Sequence, residues 1–197
     1  MKEDVLEQII DDYLQFLGYF TVHNVKFKPS PDHPKYIAAN DSVHSDIDIL
    51  AFHPLKRGTE RVRVISCKSW QSGFRADLEL GRLRGERKNP KRESWRKFRE
   101  LWIPKWAEAF RNRVRALTGV DEFHYQIAVT RLIGDGAAWS QDETIRRNLG
   151  PKSRFSFLAL NQIWSEYLAQ LELTPAPSEI GRLAQLLKAA DLVKPPA

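Results

Sequence analysis

Residues 45–52 read Ser45-Asp46-Ile47-Asp48-Ile49-Leu50-Ala51-Phe52, and residues 63–68 read Arg63-Val64-Ile65-Ser66-Cys67-Lys68. The first run alternates polar and apolar residues with period two and then turns apolar. The second repeats the pattern more weakly, so both read as strands, and Pro54 to Glu60 supplies the turn of a hairpin. Successive side chains of a regular strand point to opposite faces, so Asp46 and Asp48 share one face, and Lys68 closes the partner strand. Two carboxylates and an ammonium then occupy one small volume. Burying such charges is costly unless they pair or coordinate a metal, which makes the hairpin a candidate for chemistry.

Upstream, Val5, Leu6, Ile9, Ile10, Tyr13, Leu14 and Leu17 recur at spacings of three and four, the pattern of an amphipathic helix that Gly18 ends. Tyr19 to Phe27 alternates as a strand. Pro29, Pro31 and Pro34 then punctuate a polar stretch up to His44, a surface loop long enough to serve as a flap. Downstream, helical character begins near Asp77. Trp95, Phe98, Trp102, Trp106 and Phe110 follow at helical spacing, with Pro104 kinking that helix or starting a second one. Phe123 to Leu132 and residues 154–160 read as strands around a short helix, Asp142 to Leu149. Helices from Gln162 to Leu171 and from Ser178 to Ala190 complete the chain.

A chain of 197 residues with 42% hydrophobic content can bury one sizeable core. The single cysteine, Cys67, excludes an internal disulfide and a cysteine-rich metal site, and it fits a reducing compartment. The chain opens directly into an amphipathic segment, and no run reaches membrane-spanning length. The expectation is a cytoplasmic protein without membrane contact. The net charge of +6 is unevenly placed. Residues 75–115 hold 14 Lys plus Arg against 6 Asp plus Glu, whereas the rest of the chain has 17 against 19.

The acidic residue before a short apolar strand, the loop, the second strand and its closing Lys resemble the PD-(D/E)XK nuclease superfamily, also called restriction-endonuclease-like. The resemblance spans roughly residues 5–160 and is specific at the level of a motif only over 46–68. It implies an α/β fold: a mixed central sheet flanked by helices, in the order helix, three strands, helix, strand. Residues 1–160 would form this core and 161–197 a helical extension packed on the same domain. It further implies a metal-dependent DNA endonuclease of restriction, repair or recombination type that hydrolyses phosphodiester bonds with Mg2+ or Mn2+. In that family pattern Asp48 is the metal-bridging acid, and Lys68 orients the attacking water or stabilises charge on the phosphate.

Ser66 departs from the pattern, because the superfamily usually carries Glu at this position. Its hydroxyl brings no charge, and two acids are candidates to restore one: Asp46, and Glu7, which matches an acid that many members carry on the first helix. Taken singly, Glu7 is equally a surface acid favourable to its helix dipole and Asp46 an exposed edge charge. The alternative is a catalytically degenerate nuclease-fold module that binds DNA without cutting it.

The basic segment also has two readings. Arg75, Arg82, Arg84, Lys88, Lys91 and Arg92 are candidates for contacts to DNA phosphates. Its aromatic residues are expected to face a core, with the charge on the solvated side. Ile180, Leu183, Leu186, Leu187 and Leu192 form an apolar stripe that suits either a homodimer or packing on the same domain.

Overall fold

The hairpin lies inside a mixed sheet. In the computed structural model, which describes residues 4–87, 94–173 and 175–193, strand β2 (Ser45–Phe52) runs antiparallel to its neighbours β1 (Phe20–Phe27) and β3 (Val62–Lys68). A two-residue β4 (Phe74–Arg75) follows, and then β5 (His124–Val129), which lies parallel to β3. A second short strand, β6 (Leu132–Ile133), pairs with β4, and β7 (Arg154–Ala159) lies parallel to β5. The five long strands stand in the order β1-β2-β3-β5-β7. Parallel neighbours require crossovers, and the helices between β3 and β7 provide them.

Two layers of helices cover the sheet. Helix α1 (Val5–Phe16) precedes β1, and α2 (Ala38–Asp41) is a single turn inside the loop before β2. Helices α3 (Ala76–Leu83), α4 (Arg99–Trp102) and α5 (Pro104–Thr118) form the first crossover, and α6 (Ala137–Gln141) and α7 (Glu143–Leu149) the second. After β7 come α8 (Leu160–Leu173) and α9 (Glu179–Ala189). One buried cluster joins the sheet to α3–α7 through Leu80, Phe98, Trp106, Phe110, Trp139 and Ile145. The other joins the opposite face to α1, α8 and α9 through Ile10, Leu14, Tyr167, Leu168 and Ala184. This is the α/β architecture of a mixed five-stranded sheet flanked by helices.

The C-terminal helices are part of the second layer. Ser178 caps α9 by accepting from Gly181 N at 2.9 Å, and its hydroxyl donates to the buried Asp12 of α1 at 2.6 Å. Gly181 is required here because a Cβ would stand 2.2 Å from Asp12 Oδ2. On the outer side of α9, Leu183 and Leu186 are exposed, as is Leu192 beyond it. No helix among the described residues is long and apolar enough to cross a membrane.

Pro104 occupies the first turn of α5, where its missing N–H costs nothing, so it starts a new helix rather than kinking one. Trp106 and Phe110 face the core as their spacing requires. The stretch before β2 is a largely exposed loop, as its prolines suggest, with one buried anchor. Asp41 is fully buried and ties the loop to α5 through Lys105 and the indole of Trp106.

Candidate active site

The start of α1 is clamped over the end of β3. Asp4 caps the helix with one carboxylate oxygen, which accepts from Leu6 N at 2.8 Å, and its other oxygen accepts from the Ser69 hydroxyl just past the strand. Glu7, in the first turn, is thereby held above the point where β2 and β3 part. Pairing of these two strands runs from Phe52–Val62 to Ile49–Ile65 and stops there. The next residue on β2 is Asp48. Its Oδ2 accepts from the backbone N of Cys67 at 2.6 Å, so its side chain satisfies an amide beyond the last ladder pair.

Asp48 also sits where the faces of the sheet change over. On β1, Thr21 and His23 contact Gln15 and Asp11 of α1, whereas Val25 and Phe27 pack into the opposite cluster. On β2, Ile49 and Ala51 belong to the α1 cluster and Ile47 to the other. Residues of one parity therefore face α1 on one side of Asn24 and Asp48 and the opposite layer on the other side. The register through the switch is unbroken: His23 lies opposite Ile49 and Val25 opposite Ile47, with only the intervening Asn24–Asp48 pair missing. Strict alternation would have put Asp46 and Asp48 on one face, but the switch separates their roles. Asp46 forms an ion pair with Lys26 at 2.5 Å, and Asp48 turns to Cys67.

β3 itself alternates regularly. Ile65 and Cys67 pack toward α1, which leaves Ser66 and Lys68 on the other face. Lys68 Nζ donates to Ser66 Oγ at 2.7 Å and to the Cys67 carbonyl at 3.1 Å, and it lies 5.9 Å from the centroid of the Phe98 ring. Burial pushes the Cys67 thiol well up, which suits packing and not nucleophilic attack. The face change thus lets Asp48 interact with Glu7 from the α1 layer and with Ser66 and Lys68 from the opposite face.

The electrostatics bear this out. Burial, and then the charge of Asp48, push the Glu7 carboxyl up to about 7 from an ordinary value of 4.5, with Lys68 among the groups opposing the shift. Burial also raises Asp48, while Lys68, the Cys67 N–H and the Ser66 hydroxyl act against it. Glu7 is only half buried. Replacing it with Gln is expected to change how stability depends on pH. A folded-state value above the unfolded one means that the stability Glu7 contributes is full below about pH 4.5 and is lost as pH rises through about 7. Across that window the wild type should lose about 1–2 kcal/mol relative to Glu7→Gln, after allowance for solvent screening. Urea denaturation of both proteins at pH 4.5 and pH 8 checks this, and a difference independent of pH would remove the coupling.

Two further groups lie behind the site, and the hairpin motif does not contain them. Glu100 of α4 is buried and accepts from the Tyr125 hydroxyl of β5 at 2.5 Å. Burial raises Glu100, and both Lys68 and Asp48 act on its charge. Burial and the Glu100 charge raise Tyr125 well above its ordinary value, and a hydrogen bond with Ser66 opposes them. A polar chain of Glu100, Tyr125 and Ser66 therefore leads from a neighbouring helix to Lys68. One sequence signal pointed to it: Glu100 is a lone acid among Phe98, Leu101 and Trp102, whose spacing marks a core face.

The basic residues divide. Arg82 pairs with the buried Glu79, and Arg84 holds Asp142, the cap of α7, at 2.9 Å. Arg75 is exposed. Lys88, Lys91 and Arg92 lie outside the described residues. Trp70 is stacked on Phe74 at 5.2 Å, and Lys97 lies 4.4 Å from its ring centroid. Both contacts occupy the indole ring within the fold.

Compared with family models, curated proteins and solved structures, the chain finds no match.

Proposed function

We propose that this chain is a metal-dependent DNA endonuclease of the PD-(D/E)XK type, acting in restriction, repair or recombination. The observation that carries the reading is the convergence of Glu7, Asp48, Ser66 and Lys68 where β2 and β3 part. The order of helix, three strands, helices and strand supports it.

The donor set suits a hard divalent cation. Among the described residues no group of three or more His, Cys, Asp or Glu stands ready to hold an ion, so the ligands would be fewer carboxylates with oxygens from elsewhere. Asp48, Glu7 and the Cys67 carbonyl are such oxygens, and magnesium commonly completes its octahedron with water. The half-buried Glu7 carboxyl, whose proton affinity burial and the Asp48 charge raise, is what a cation would relieve. Bound there, magnesium or manganese would polarise the phosphate and lower the pKa of a coordinated water. Lys68 is held at the strand end by Ser66 Oγ, and its ammonium is within the same site to orient the water or stabilise charge on the phosphate. Asp46 pairs with Lys26, and its charge also acts on Asp48 from beside the set.

The second reading is a DNA-binding module that keeps the fold without the chemistry. Ser66, which brings no charge, and the two hydrogen bonds that occupy the Lys68 ammonium favour it. One assay separates the two. Supercoiled, linear, single-stranded and branched DNA are incubated with magnesium or manganese and with wild type or Lys68→Ala. Cleavage by wild type that is reduced at least about a hundredfold in the variant and abolished by chelator is the expected result. Equal DNA binding by both proteins with no cleavage would put the binding module first, and Ser66→Glu would then test whether the missing charge is the reason.

A further inference from the structure

Asn24 stands in a left-handed backbone conformation, φ 53°, in the interior of the edge strand β1. Asn is one of the few residues other than glycine that enters this region at modest cost, and it is uncommon inside strands. Its place is specific. The pairs on either side, His23–Ile49 and Val25–Ile47, are intact, and the pair that is missing is Asn24–Asp48. At that residue both strands exchange the faces they present. The same residue of β2 is the last before pairing with β3 begins, so Asp48 lacks a ladder partner on either side. Asn24 also lines, with Glu7, Asp11 and His23, a cleft of about 350 Å³ between α1, β1 and the start of α9.

The geometry points to Asn24 as the positioning residue for Asp48. Its left-handed backbone holds β1 out of register contact at one residue, turns both strands over there, and frees the Asp48 carboxylate for the Cys67 amide. With a regular strand at this position Asp48 would pair across to β1 and take one face of the sheet. It would then lose access to either Glu7 or Lys68. The role belongs to the backbone, so glycine should replace Asn24 and a β-branched residue should not. The structural part of this inference stands by itself, and its consequence for catalysis rests on the nuclease reading.

Hydrogen exchange at the Cys67 amide, followed by NMR in the full chain, tests it. Asn24→Gly should keep Cys67 protection within about fivefold of wild type. Asn24→Ala, which folds with a milder penalty, should lose about five- to thirty-fold. Asn24→Val should lose protection to the level of Asp48→Ala, while Val64 and Ile65, which pair with Leu50 and Ile49, keep theirs. Unchanged Cys67 exchange in the alanine variant, or equal loss with glycine and alanine, would overturn the assignment even where the valine variant fails to fold. Calorimetric titration with magnesium separates the two ideas. A wild type that binds no magnesium but shows the expected exchange pattern keeps the positioning role and loses the nuclease reading, and intact magnesium binding with unchanged exchange does the reverse.

Discussion

Asp48→Asn is expected to leave the fold intact and to lower magnesium-dependent DNA cleavage about a thousandfold, the effect of losing about 4 kcal/mol of charge stabilisation. The substitution is informative because the side chain has two separable roles. As an acceptor it satisfies the Cys67 N–H at 2.6 Å, and the amide oxygen of Asn can do the same. As an anion it faces Lys68 and competes with Glu7 for charge, and Asn cannot do that. Asp48→Ala removes both roles, so it should match the loss of cleavage and also destabilise the protein by about 1–3 kcal/mol through an unsatisfied buried amide. If Asp48→Asn cuts DNA at the wild-type rate in magnesium, Asp48 serves the strand and not the chemistry. If Asn and Ala are equally unstable, the charge itself holds the two strands together.

Much of this site is legible in the hairpin alone. The period-two pattern of residues 45–52 gives β2 with its observed ends, and the weaker pattern of 63–68 gives β3 to within one residue. The spacing of Leu6, Ile9, Ile10, Tyr13 and Leu14 gives α1, whose buried face is built from these residues. These features are legible because each is a local pattern in which one face is buried and the chain has only one regular way to bury it.

The relation between Asp46 and Asp48 was not legible, for a physical reason. Alternation predicts a shared face only while the backbone stays extended, and one left-handed residue on the neighbouring strand breaks the rule for both strands at once. The signal lay in β1 and not in the motif: an Asn in the middle of Thr21-Val22-His23-Asn24-Val25-Lys26-Phe27. The pairing of the basic segment was likewise beyond the sequence. A surplus of Lys and Arg in sequence does not reveal which of them meet carboxylates from elsewhere, and Arg84 is held by Asp142, 58 positions away. The same holds for the Glu100–Tyr125 pair, formed between a helix and a strand that no short motif connects.

Asp41 is where the largest loss of stability is expected. Its Oδ2 accepts from Ile37 N at 2.7 Å and from Lys105 Nζ at 2.5 Å, and its Oδ1 accepts from the Trp106 indole at 3.0 Å. Burial alone would raise this carboxyl, but the Lys105 ammonium and the two N–H donors outweigh it and hold the group below its ordinary value. Asp41→Ala leaves an indole N–H without its partner and a nearly covered ammonium with only the Lys35 carbonyl to receive it. The carboxylate is fully covered, yet it lies close under the surface, so the low end of the range for breaking a buried pair applies, about 3 kcal/mol. In urea this should appear as a lower midpoint with an unchanged slope. The pH dependence has the opposite sign to that of Glu7. A depressed folded value means that the contribution is present above the ordinary carboxylate range and is lost as pH falls through the folded value, so wild type and Asp41→Ala should converge in acid. The loss also reaches the site, because the loop that Asp41 fastens to α5 leads directly into Ser45 and Asp46. Backbone amides around Ile37 should exchange slowly in wild type and fast in the variant. A cost under about 1 kcal/mol would mean that the loop is held by its other contacts and not by Asp41.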